Sequence, residues 1–150
     1  MKDRLLDEPF ASGLVDGRVR VLVGVEQDVM SACRQARQLA ETLRFSRTAA
    51  YHIATAASEL AANLLIHAGG GLLQASALLN PTLDGETLGL ELLAEDQGPG
   101  IADLALALTE GYSTGHGLGC GLPGVKRLMD EFGIESRPGV GTRIRAVKWL

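Results

Sequence analysis

The hydrophobic pattern of the chain changes several times between the period of a strand and the period of a helix. From Arg18 to Val25 the sequence RVRVLVGV places a valine at every second position, which is typical of a half-buried strand. The next segment, QDVMSACRQARQLAETLRF, repeats its apolar residues at helical spacing. A second, alanine-rich helix is predicted over SRTAAYHIATAASELAANLLIHA, with Ser46 as its N-cap and the glycines at 69–71 after its end.

The rest of the chain is dominated by strand patterns separated by turn residues. GLLQASALLN and ETLGLELLAED predict an antiparallel pair, and GIES and TRIRAVKWL predict two further strands around the turn RPGVG. Between the two pairs, ADLALALTE predicts a short helix, and GLPGVKRLMDEF predicts another with a proline in its first turn. The predicted order is β α α β β α α β β. Because helices and strands do not alternate strictly, we expect an α+β fold, a two-layer α/β sandwich with a mostly antiparallel sheet and helices on one face.

Composition narrows the class of protein. The chain has 150 residues, of which 46% are hydrophobic and 21% are charged, so it can bury a core of its own. We expect one domain over 18–150, preceded by a loose leader over 1–17. The formal net charge of -4 is spread along the chain, which argues against nucleic acid or an anionic membrane as a partner. No apolar run approaches the roughly 20 residues of a membrane span, and the start is charged, so a cytoplasmic protein is expected.

Three polar residues recur at every fourth position of the second predicted helix. Glu59, Asn63 and His67 therefore lie along one stripe of its surface. A solvated polar stripe explains this pattern without any function. The alternative is a site in which the carboxylate acts as a general base and the carboxamide supplies an oxygen ligand to Mg²⁺. His67 lies beside the helix end, where it is expected to interact with the helix dipole rather than to take part in catalysis.

The segment EDQGPGI follows a predicted strand and contains Asp96, Gly98 and Gly100. A tight turn after the strand would explain glycine and proline at these positions. The same residues also allow the backbone to approach a flat ligand, while the carboxylate accepts a hydrogen bond from an exocyclic amine of that ligand.

Glycine accounts for 19 of the 150 residues, and it is concentrated in GHGLGCG, which contains Gly115, Gly117, Gly119 and Gly121. A glycine loop that runs into a helix exposes several backbone N–H groups, which suits phosphates, and a mobile lid is a compatible interpretation. GCGLPG matches GxGxxG, but a loop precedes it and no acid follows at the distance that dinucleotide binding requires. GxxxxGK[ST] is absent, which excludes a Walker-type NTPase.

Four segments together resemble a known family. ELAAN, DQGPGI, GHGLGCGL and GVGT, in this order, are similar to the motifs of the GHKL superfamily of ATPases and kinases. SELAAN, AEDQGPGI, GLPGVKRLMDEF, GTRI and the ending AVKWL resemble more narrowly the small serine/threonine kinases of bacterial partner-switching systems, in particular the stressosome type. The resemblance implies a Bergerat-type ATP-binding fold from Arg18 onward.

The resemblance also implies a role for each site residue. Glu59 would be the general base that prepares the attacking hydroxyl, and Asn63 would ligate the Mg²⁺ that bridges the phosphates of ATP. Asp96 would bind the adenine amino group. Gly98 and Gly100 would form the wall beside the base, and Thr142 would lie at the adenine end of the pocket. The lid over the triphosphate would contain Gly115, Gly117, Gly119 and Gly121.

The implied function is transfer of the γ-phosphate of ATP to a hydroxyl of a STAS-domain protein. Phosphorylation would weaken the complex by adding about 1.5 to 2 negative charges, and would free the kinase for a second regulatory partner, either a phosphatase or a protein of a sigma-factor pathway. The alternative is an anti-sigma factor that mainly sequesters a sigma factor. A third hypothesis, a nucleotide-binding scaffold without catalysis, is disfavoured because Glu59 and Asn63 are both present.

Overall fold

The computed structural model describes residues 4–5, 18–82, 85–101, 108 and 121–150. The helices and strands of this part of the chain are β1 (Arg4–Leu5), β2 (Arg18–Val23), α1 (Glu26–Thr42), α2 (Arg47–Ala68), β3 (Gly71–Thr82), β4 (Gly85–Asp96), α3 (Gly121–Leu128), β5 (Glu131–Arg137) and β6 (Gly141–Trp149). Their order follows the prediction except that β1 is added and one helix, not two, is described between β4 and β5. Almost all of the short helix predicted from ADLALALTE lies outside the described residues, as do Gly115, Gly117 and Gly119. Among the described helices, none combines the length and the apolar character needed to cross a bilayer.

The described strands form one sheet in which every pairing is antiparallel. β4 lies between β3 and β6, and β5 lies outside β6. The other edge of β3 pairs with β2 along its first half and with β1 further on, where Leu5 lies opposite Leu78. Arg4–Leu5, within the segment expected to be a loose leader, thus forms a short strand. The expected fold class is confirmed.

The core lies between the sheet and the helices. Val21, Leu73, Ala94 and Ile144 are neighbours across four strands, and they belong to the same buried cluster as the inward residues of the helices. α1 and α2 contribute mainly alanine to this cluster, which lets the two helices pack closely against each other and against the sheet. α2 is therefore packed against α1 and the sheet along most of its length.

Each of the first two helices begins with a local capping interaction. Ser46 accepts a hydrogen bond from the backbone N–H of Ala49 at 3.1 Å, which confirms the predicted N-cap of α2. At the start of α1, the Asp28 carboxylate accepts the backbone N–H groups of Gly24 and Val25 at 2.8 and 3.0 Å. These two hydrogen bonds stabilise the charged carboxylate and lower the pKa of Asp28.

The C-terminal end of α3 differs from the prediction. The pattern GLPGVKRLMDEF indicates a helix that continues to Phe132, whereas α3 ends at Leu128. The backbone N–H of Asp130 donates to Val147 at 2.8 Å, and its carboxylate accepts the backbone N–H of Trp149 at 2.7 Å. Pairing with β6 therefore replaces the last predicted turn of the helix.

The face of the sheet opposite the helices carries a cluster of charged residues. The Arg145 guanidinium donates to Glu91 and also lies 3.4 Å from Glu131. The pKa of Glu91 is raised to about 7, mainly because the carboxyl is buried; the nearby charge of Arg143 lowers this pKa and that of Glu131 raises it. Desolvation of Glu91 thus outweighs its attraction to Arg143, and burial also lowers the pKa of Arg145.

We expect the free energy of unfolding to fall as pH rises from about 5 to about 8. In the folded protein Glu91 keeps its proton to a higher pH than in the unfolded chain. Its contribution to the free energy of unfolding is therefore complete below the pKa of the unfolded state and is lost as the pH rises through the pKa of the folded state. Glu91→Gln, which cannot titrate, should show a smaller pH slope in denaturant unfolding, whereas the exposed control Glu135→Gln should keep the wild-type slope. Equal slopes for wild type and Glu91→Gln would contradict this assignment.

Candidate functional site

The polar stripe of α2 runs from the interior of the protein to its surface. The Glu59 side chain is only 5% exposed, Asn63 is half-buried and His67 is exposed. A purely solvated stripe would leave the glutamate in water, so its burial favours a specific role over the solvated interpretation. His67 lies in the last turn of α2, where a basic residue complements the helix dipole.

Asp96, the last residue of β4, connects two segments through one of its carboxylate oxygens. Oδ1 accepts the backbone N–H groups of Gly98 at 2.9 Å and Thr142 at 3.3 Å. Thr142 lies directly opposite Asp96 on β6. In the part of the chain that the structure describes, no donor contacts Oδ2 of Asp96. The carboxylate is therefore fixed in orientation and keeps one oxygen for a ligand.

A short chain of hydrogen bonds continues from Thr142 to a residue that sequence reasoning missed. Thr142 Oγ1 lies 2.9 Å from Oγ of Ser136 on β5, and Ser136 Oγ accepts the backbone N–H of Ile101 at 2.6 Å. Ser136 thereby holds Ile101, five residues after the end of β4. Its only sequence signal is its position across the predicted RPGVG turn, where antiparallel pairing places it opposite Thr142.

Gly98 and Gly100 hold that loop in close contact with its neighbours. A Cβ on Gly98 would lie 2.6 Å from the Cβ of Ala68, so only glycine lets the loop contact the last turn of α2. Gly100 has a φ of +79°, and a Cβ there would lie 2.5 Å from the carbonyl oxygen of Arg137. The loop after Asp96 is thus fixed against both α2 and the β5–β6 turn.

These contacts place the two acidic residues along one stretch of α2. Gly98 contacts Ala68, which lies about 13.5 Å from Glu59 along the helix axis at 1.5 Å per residue. Asn63 lies between them on the helix. An elongated ligand with an amine at one end and a reactive group at the other fits this arrangement.

The remaining predicted site residues are described only in part. Of the four glycines expected in the lid, Gly121 alone is described; it begins α3, which packs against α2. Among the described residues there is no group of three or more His, Cys, Asp or Glu side chains that could hold a metal ion.

Comparison with known proteins shows what the chain is similar to. Residues 25–148 match the histidine kinase-like ATPase domain. The serine/threonine-protein kinase RsbT of Bacillus subtilis (strain 168) is 45% identical over 130 residues, which make up 87% of this chain and 95% of that protein. The anti-sigma F factor of Thermoanaerobacter sp. (strain X514) is 31% identical over 104 residues, which are 65% of this chain and 68% of that protein.

A solved structure shows the same fold at lower sequence identity. The crystal structure of the RsbU and RsbW domains of Rv1364c from Mycobacterium tuberculosis superposes with a TM-score of 0.56 at 15% identity, over 87% of this chain and 32% of that one. The expected fold is therefore confirmed independently of close sequence similarity. The 45% identity over nearly the whole of RsbT confirms the expected resemblance to that protein and the expected enzyme class, a serine/threonine-protein kinase. Over residues 25–148, the chain belongs to the histidine kinase-like ATPase domain family.

Proposed function

We propose that this chain transfers the γ-phosphate of ATP to a serine or threonine of a STAS-domain protein in a partner-switching pathway. The observation that carries the proposal is the placement of Glu59 and the available oxygen of Asp96 at two ends of one stretch of α2. ATP fits this arrangement because its adenine amine and its γ-phosphate are at opposite ends of the molecule. The domain over 18–150 carries all the proposed roles.

The adenine end of the site is formed by the loop after β4. Oδ2 of Asp96 accepts a hydrogen bond from the adenine amino group, while the bonds of Oδ1 to Gly98 and Thr142 keep the carboxylate in place. Gly98 and Gly100 form the wall beside the base, and their packing against Ala68 and Arg137 keeps that wall in place. Thr142, held by Ser136, closes the adenine end.

The reacting end of the site is formed by α2. The buried Glu59 carboxylate accepts the proton of the substrate hydroxyl as that hydroxyl attacks the γ-phosphorus, and the bond from that phosphorus to the β,γ-bridging oxygen breaks to release ADP. Asn63, one turn further on, offers a half-buried amide oxygen to Mg²⁺. One such ligand fits an ion that takes its other ligands from phosphate and water, as Mg²⁺ commonly does. When bound, Mg²⁺ supplies neutralisation of the phosphate charge. The glycines at 115, 117, 119 and 121 contribute backbone N–H groups to the triphosphate.

The similarity to anti-sigma F factors supports a second candidate function. At 31% identity over 104 residues, such a factor shares most of this domain, and a protein of this fold can sequester a sigma factor. The higher identity and coverage of RsbT favour the switch kinase, with a phosphatase as its second partner.

A phosphotransfer assay separates the two candidates. The purified chain is incubated with Mg²⁺, ATP labelled in the γ-phosphate and each STAS-domain protein of the source genome, and products are mapped by mass spectrometry. We expect one STAS-domain protein to carry phosphoserine or phosphothreonine. ATP binding without transfer, together with co-purification of a sigma factor, would instead establish the second candidate.

A further inference from the structure

Three polar side chains lie side by side at one end of the sheet. Thr142 of β6 lies opposite Asp96 of β4 on one side and opposite Ser136 of β5 on the other. Residues two positions away on the same strands share their face of the sheet, and those residues belong to the buried core or pack against it. They are Ala94, Ile144 and Ile134. The core therefore ends in a polar row on the helix-covered face of the sheet.

We infer that Ser136 sets the base specificity of the nucleotide site without touching the base itself. Its hydroxyl orients the hydroxyl of Thr142. Thr142 then donates a hydrogen bond to the adenine ring nitrogen next to the amino group, directly or through one water. Ser136 is thus a positioning residue. The inference rests on the proposed function, which places the adenine beside Asp96, and it adds the residue that controls how the base is read.

The hydrogen bonds of Ser136 fix the direction of its own proton. Its Oγ accepts the backbone N–H of Ile101 at 2.6 Å, so its proton is left for a second partner. Two acceptors lie within reach, Thr142 Oγ1 at 2.9 Å and the backbone carbonyl of Gly141 at 3.4 Å. The first distance is ordinary for a hydrogen bond between two oxygens, whereas the second is too long for a strong one. Ser136 therefore donates to Thr142.

Thr142 consequently keeps its own proton for a ligand. Because its oxygen accepts the proton of Ser136, its hydroxyl hydrogen points away from Ser136. In the part of the chain that the structure describes, Ser136 is the one hydrogen-bond partner of Thr142 Oγ1. The Thr142 side chain is only 7% exposed, and a buried donor without an acceptor is costly. A ligand that offers an acceptor next to Asp96 removes this cost.

Asp96 and Thr142 together distinguish the two purine bases. Oδ2 of Asp96 accepts a hydrogen bond, and the Thr142 hydroxyl donates one. Adenine matches this pair, because its amino group donates and the adjacent ring nitrogen accepts. Guanine carries the reverse pair at these positions, a carbonyl oxygen and a ring N–H, so acceptor meets acceptor and donor meets donor. Without the Ser136 hydroxyl, Thr142 is free to rotate and to accept as well as donate, which weakens the discrimination.

A nucleotide that differs from ATP in one ring atom tests the inference. In 1-deaza-ATP, a C–H group replaces the ring nitrogen next to the carbon that carries the amine. We expect the wild type to bind 1-deaza-ATP roughly tenfold more weakly than ATP, and Ser136→Ala to reduce this ratio below about threefold. Calorimetric titration of each nucleotide with Mg²⁺ measures both affinities. If Ser136→Ala weakened the binding of both nucleotides equally, Ser136 would only hold the backbone at Ile101, and the inference would be wrong.

Control variants separate orientation of the hydroxyl from general damage. Ser136→Thr keeps a hydroxyl and should keep the wild-type ratio of the two affinities. Ser31→Ala removes a hydroxyl in α1 that accepts a hydrogen bond from Gln35 at 2.7 Å, and it should also leave the ratio unchanged. If Ser136→Ala does not fold, Ser136→Cys, whose thiol is a weaker donor, should give an intermediate ratio.

The wild type alone distinguishes failure of the inference from failure of the proposed function. Binding of ATP and 1-deaza-ATP with affinities within about twofold of each other would overturn the inference and leave the ATP site intact. Absence of ATP binding would overturn the proposed function, and the inference with it.

Discussion

Glu59→Gln is expected to slow phosphotransfer by roughly 10² to 10⁴-fold, because glutamine cannot accept the proton of the attacking hydroxyl. The affinity for ATP should stay within about twofold of wild type, since the substitution removes an interaction made only during the reaction. Glutamine has nearly the same shape as glutamate, and a neutral side chain is tolerated at a buried position. Single-turnover transfer of labelled γ-phosphate to the STAS-domain protein measures the rate, and calorimetric titration measures the affinity.

Glu86→Gln is the matched control for this experiment. Glu86 is an exposed carboxylate near the start of β4, at the end of that strand away from Asp96. Its substitution should change neither the rate of phosphotransfer nor the affinity for ATP. A Glu59→Gln protein as active as wild type would exclude Glu59 as the general base. If Glu59→Gln lost both ATP binding and phosphotransfer, Glu59 would be assigned to binding or folding rather than to proton transfer.

Local sequence signals predicted most of the elements of this fold because local interactions set their boundaries. The N-cap hydrogen bond of Ser46 forms within the first turn of α2, and the alternating valines of β2 need only one buried face. The end of α3 was predicted wrongly for the complementary reason. Asp130 makes its hydrogen bonds to Val147 and Trp149 on β6, and a helical pattern contains no information about a strand that comes later in the chain.

The candidate site depends still more on contacts between distant residues. Asp96 and Thr142 are 46 positions apart and meet only because β4 pairs with β6. Asp96 and Thr142 were each predicted as site residues from a motif. Ser136 belongs to no motif, and only the register of β5 against β6 places it opposite Thr142.

Asp96→Asn is expected to weaken ATP binding by roughly 10- to 100-fold. Asparagine keeps an oxygen for the backbone N–H groups of Gly98 and Thr142, so the loop retains its hydrogen bonds. Those two donors orient the amide, and its NH₂ group replaces Oδ2. Two donors then face each other where the adenine amino group binds, and the amide cannot accept its hydrogen bond. Calorimetric titration of ATP with Mg²⁺ into the wild type and the variant measures the change.

The ratio of ATP to GTP affinity distinguishes lost recognition from lost structure. Guanine carries a carbonyl oxygen where adenine carries its amino group, so the new NH₂ group can donate to guanine, and Asp96→Asn should shift the ratio towards GTP. Glu95→Gln alters the preceding residue, whose exposed carboxylate pairs with Arg143 at 3.4 Å, and it should leave both affinities unchanged. Asp96→Ala also removes the acceptor of two backbone bonds, so it should bind ATP weakly without any gain for GTP. An unchanged ratio in Asp96→Asn would exclude Oδ2 as the atom that recognises the base, whatever the loss of affinity.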